Sequence, residues 1–114
     1  MTQPTIKETI SRIEERLKSN EGLNADQRAE LLTLVAELKN EVASLAETHT
    51  EDAHSIAAFT ETSVREAMRT EKNPELLELS VGAMKLSARR FEASHPTLVG
   101  LINAIGQTLW KIGI

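Results

Sequence analysis

Leu31-Leu32-Thr33-Leu34-Val35-Ala36-Glu37-Leu38-Lys39-Asn40-Glu41-Val42-Ala43-Ser44-Leu45 is the stretch that decides the fold class. Leu31, Val35, Leu38, Val42 and Leu45 recur at steps of 4, 3, 4 and 3, the spacing that keeps one apolar stripe on one side of an α-helix. No strand-like alternation competes with it. Just upstream, Asn24 can cap this helix while Gln27, three residues on, reaches back as in a capping box. Further upstream Ile6, Ile10, Ile13 and Leu17 repeat the same pattern, and Gly22 stops it. Two such stripes joined by a short Gly-containing turn predict an antiparallel helical hairpin.

Downstream, no Gly or Pro occurs between Gly22 and Pro74. Extending the register past Leu45 lands on His49, Asp52, Ile56, Phe59 and Ser63. This favours one long helix from about Ala25 to about Thr70, roughly 70 Å at 1.5 Å per residue, with His49 and Asp52 as polar seam residues that set register. The alternative is a break at Thr48-His49-Thr50, where Thr48 or Thr50 caps a new helix with Glu51 and Asp52 in its first turn. Asn73-Pro74-Glu75 is a strong helix start, opening the stripe Leu77, Val81, Met84, Ala88 and Phe91. Ser94-His95-Pro96 repeats the device, and the last helix carries Leu98, Ile102, Ile105, Leu109 and Ile112 before ending at Gly113. The expected fold is all-α, an antiparallel hairpin or long coiled-coil-like helices plus C-terminal helices, four to five in all. It forms one domain, residues 1–114, with an N-terminal hairpin (1–47), a central helical segment (48–72) and a C-terminal helix pair (73–114).

Composition agrees. Of 114 residues 40% are hydrophobic, but only Phe59, Phe91 and Trp110 are aromatic, so Leu, Ile, Val, Ala and Met must fill the core, which suits helices better than sheets. The net charge of -4 argues against general nucleic-acid binding. Residues 1–57 hold 6 basic and 11 acidic side chains against 7 and 6 in the rest, so the hairpin end is the acidic end. The absence of cysteine excludes disulfides, thiol catalysis and cysteine-ligated metal. Met1-Thr2-Gln3-Pro4 does not open like a signal peptide, and the uncharged run Pro96 to Trp110, 15 residues, falls short of the roughly 20 that span a bilayer. A cytoplasmic protein, not bound to membrane, is expected.

The C-terminal segment Phe91-Glu92-Ala93-Ser94-His95-Pro96-Thr97-Leu98, followed by a helix ending Lys111-Ile112-Gly113-Ile114, resembles a family of short bacterial helical proteins of unknown function. That family combines a Glu-rich N-terminal hairpin with this Phe-Glu, His-Pro and terminal Gly-Ile pattern. The resemblance covers most of the chain and implies a bacterial, helical, non-secreted protein. It supplies no activity and no site.

No serine lies in a Gly-flanked elbow and no Gly-rich phosphate loop follows a strand, so an enzyme is not expected. Two Glu-x-x-His pairs, Glu51 with His54 and Glu92 with His95, resemble the carboxylate-histidine pairs of di-iron bundles and carry the alternative reading, a metal-binding bundle. Glu is abundant here, and Pro96 disfavours helical backbone at His95, so no metal or other cofactor is expected. His49, His54 and Asp52 also suggest a pH-sensitive patch, again as a lesser reading. The last helix is the more informative segment. Beside its apolar seam it carries Gly100, Ala104 and Gln107 where a solvent-facing helix would show Lys or Glu. The reading is burial on two sides and self-association, with Leu98, Gly100, Ile102, Ala104, Ile105 and Leu109 as the contact between copies. The expected role is a non-catalytic interaction or scaffold protein, a homo-oligomer, with an unidentified protein partner as the lesser reading.

Overall fold

Asn24 caps its helix as the sequence predicts: its side chain accepts from the Gln27 backbone N–H at 2.8 Å, and the Gln27 side chain accepts from the Asn24 N–H at 3.2 Å. In a computed structural model describing residues 4–114, the chain forms α1 (Ile6–Ser19), α2 (Ala25–Ala46), α3 (Thr50–Ala67), α4 (Pro74–Arg89) and α5 (Pro96–Gly113). Residues 1–3, on which the signal-peptide reading partly rests, lie outside the described residues. The described residues contain helices and no strands. None of their helices is long and apolar enough to cross a membrane.

The hairpin forms. Arg28 of α2 closes it by donating from Nε to Leu17 O at 3.1 Å and from Nη2 to Asn20 O, which occupies carbonyls that the end of α1 leaves without helical partners. Asn73 accepts from Leu76 N–H at 3.1 Å and Pro74 occupies the first turn of α4; Pro96 does the same in α5.

The single long helix does not form. Helix α2 ends at Ala46 and α3 begins at Thr50, with His49 (φ -135°, ψ 65°) outside helical space. Neither threonine is the cap residue. The Thr50 hydroxyl donates back to Ala46 O at 2.9 Å, and Thr48 lies in the turn. The break resets the stripe by one residue: the core positions of α3 are Ala53, Ala57, Thr60, Val64 and Ala67, with Ile56 and Ser63 beside them. Phe59, where the unbroken register would bury a ring, stays 40% exposed.

Small residues suit the position of α3, which touches all four other helices. Thr60 and Ser63 are buried there with their hydroxyls donating to Ile56 O and Phe59 O at 2.8 and 2.9 Å. Helix α1 packs on α2 and α3 only, α4 on α3 and α5 only, so α1 and α4 flank the bundle on different sides. A bidentate pair, Arg12 Nε to Glu61 Oε2 at 2.7 Å and Nη2 to Oε1 at 3.0 Å, ties α1 to α3. The Arg12 hydrogen bond holds the Glu61 carboxyl below the usual carboxylate range, against partial burial.

Candidate interaction face

His49 and His95 do similar work at two helix starts. Each precedes its helix with nearly the same backbone (φ -135°, ψ 65° and φ -136°, ψ 64°), and each ring Nδ1 lies within hydrogen-bond distance of the preceding hydroxyl, Thr48 at 2.8 Å and Ser94 at 3.0 Å. Both rings meet buried Phe91 edge-on, at 5.1 and 5.8 Å between centroids. Arg90 stands 5.0 Å over the same ring and pairs with Asp52 at 3.5 Å. His49 and Asp52 therefore join the α2–α3 and α4–α5 junctions, and are not seam residues of a continuous helix.

The remaining metal candidates scatter. Glu51 is exposed in the first turn of α3, and His54 lines a shallow hollow with Arg12 and Glu61. Glu92 is exposed in the turn after α4, and His95 is engaged with Phe91. Among the described residues, no three His, Asp or Glu side chains gather where a metal ion could be held.

The expected contact residues of α5 divide between core and surface. Leu98, Ile102, Ile105 and Leu109 are fully buried within the single chain, against its own core, and leave no surface for a second copy. Gly100 is exposed with open space around it, and Ala104 is half-buried. Burial on two sides does not occur within the chain, because Gly100, Asn103 and Gln107 meet solvent. The glycines at close helix contacts are Gly106, where a β-carbon would stand 3.1 Å from Val81 Cγ1, and Gly113.

Exposed large apolar side chains gather on α4, which carries Leu76, Leu79 and Leu86, with Trp110 and Ile114 exposed toward the end of α5. The inward stripe of α4, Leu77, Val81, Met84 and Ala88, fills the core. A second stripe on the same helix, Leu76, Leu79, Ala83 and Leu86, also steps 3, 4 and 3 but points away: Leu79 is 66% exposed and Leu86 62%. Water is a poor partner for two leucines one face apart from a complete core. On the α5 side a groove floored by Val81, Gly82, Gly106 and Trp110, with Glu78, Lys85 and Gln107 also lining it, borders this face. On the α3 side Phe59 sits two turns along from Asp52, which marks the flank that α3 turns to α4 through Arg90. Sequence reading took α4 as a single core stripe; the second stripe was visible at heptad spacing, but only if both faces were counted.

The family model described as "Domain of unknown function (DUF4404)" matches residues 34–114, more than half of the chain, so the chain belongs to that family. No curated protein and no solved structure matches it. The matched region begins within α2 and includes the whole of the α4 face.

Proposed function

We propose that this member of the family is a non-catalytic helical interaction module that self-associates through the outward face of α4. The observation that carries the reading is the double stripe: Leu79 and Leu86 stand mostly in solvent on a helix whose other side already completes the core. Trp110, partly exposed on the α5 flank, widens the apolar area. The face is acidic at one end (Glu75, Glu78) and basic at the other (Arg89, Arg90), so it is suited to meeting a copy of itself.

Sedimentation velocity over a wide concentration range tests it. The parent should associate, and the double variant Leu79→Glu, Leu86→Glu should remain monomeric with its helicity intact, because neither side chain belongs to the core. A parent that stays monomeric throughout would overturn the proposal.

A further inference from the structure

Position numbers on the outward face of α4 mirror one another about a point between Gly82 and Ala83. Leu79 and Leu86 are equidistant from that point, and so are Glu75 and Arg90. At 100° per residue these four side chains lie close to the direction opposite the core stripe of Leu77, Val81, Met84 and Ala88, and Gly82 and Ala83 bracket it. In an antiparallel helix pair, residues equidistant from the axis on the two strands stand level with each other. A two-fold axis at this point therefore sets Leu79 level with the partner's Leu86, Gly82 with the partner's Ala83, and Glu75 with the partner's Arg90, each contact occurring twice. A parallel pair would instead bring Glu75 onto the partner's Glu75 and Arg90 onto the partner's Arg90.

Two further observations fit this arrangement. Gly82 lies in the middle of an exposed helix, where glycine costs about 0.5–1 kcal/mol relative to alanine, and a β-carbon there would meet nothing within 4 Å. The chain's own packing gives no reason for it, whereas close approach of a second helix does. Arg90, at 64% side-chain exposure, is steadied by Asp52 at 3.5 Å and by the Phe91 ring, so its charge is held near the end of α4.

We infer that a second copy of this chain docks by antiparallel pairing of α4 with α4 about a two-fold axis between Gly82 and Ala83, with Glu75 facing the partner's Arg90. This rests on the self-association reading above and adds its partner geometry.

The chain lacks cysteine, so single-cysteine variants of the full-length protein report the geometry. A short bis-maleimide should link Ala83→Cys into a covalent dimer and leave Glu75→Cys unlinked, since the paired geometry separates the two copies of position 75 by about 22 Å along the helix. Independently, Glu75→Arg or Arg90→Glu alone should raise the dimer dissociation constant by about tenfold, and the two together in one chain should restore it to within about threefold. Circular dichroism establishes that each variant is folded. A dimer that Leu79→Glu with Leu86→Glu abolishes, but that links through position 75 or ignores the charge reversals, would overturn the antiparallel geometry and leave self-association standing. A parent that never associates overturns both.

Discussion

Gly113 lies so close to Ala67 that a β-carbon at position 113 would stand 3.1 Å from the Ala67 Cα and fall on the Leu77 side chain. The end of α5 is thereby seated between α3 and α4: the Leu77 side chain would have to move, and the Ala67 backbone on the other side leaves little room. Gly113→Ala should destabilise the fold by about 1–3 kcal/mol as an overpacking change. Gly100→Ala, in open space on the same helix, should instead gain about 0.4–1 kcal/mol. Urea denaturation midpoints of the two variants should move in opposite directions.

The junction between α2 and α3 makes a sharper test. His49 and His95 share their backbone angles, and the chain already places Pro96 after His95. The His49 conformation therefore accepts proline at the next position, and Thr50 begins α3, where a missing backbone N–H is tolerated. Thr50→Pro should cost less than about 1 kcal/mol, against the roughly 3 kcal/mol or more expected inside an unbroken helix. Thermal unfolding of the single variant decides it, and a large loss would argue for continuity.

The difference between these junctions explains what the sequence made legible. The helix starts marked by the caps Asn24 and Asn73 and by the first-turn Pro96 depend on local chemistry, and they stand where the residues say. The α2–α3 break was masked because the core stripe of α3 is written in Ala, Thr, Val and Ser, while the larger Ile56 and Phe59 happened to continue the α2 register. The exposed leucines of α4 went unread for a related reason. The uncharged α5 drew attention through its composition, yet its seam is interior, and the exposed leucines sit on a charged helix whose Glu and Arg residues made it look merely solvated.

Protonating Glu61 should loosen the tie between α1 and α3. Its folded pKa is lowered, chiefly by the hydrogen bond from Arg12, so its stabilising contribution is complete above its ordinary value of 4.5 and is lost as pH falls through the lowered one. Glu61→Gln should therefore be less stable than the parent at neutral pH, by about 0.5–1 kcal/mol for a partly exposed pair. The gap should narrow below pH 4.5 and close under more acidic conditions. Paired urea titrations at neutral and acidic pH measure it, and a gap independent of pH would exclude this role for the ion pair.

The α5 seam and the α4 face should respond differently to dilution. Ile105 is fully buried within one chain, so Ile105→Ala removes core atoms and leaves a cavity costing about 2–5 kcal/mol. Because that loss is intramolecular, it should be the same at every protein concentration. Leu79 touches little in the single chain, so Leu79→Glu should leave the dilute-solution midpoint within about 0.5 kcal/mol of the parent. At higher concentration it should abolish the rise in midpoint that binding between native copies produces by mass action. Denaturation midpoints of both variants across a concentration series separate the two surfaces. If Ile105→Ala, and not Leu79→Glu, erased the concentration dependence, the contact between copies would belong to α5 after all.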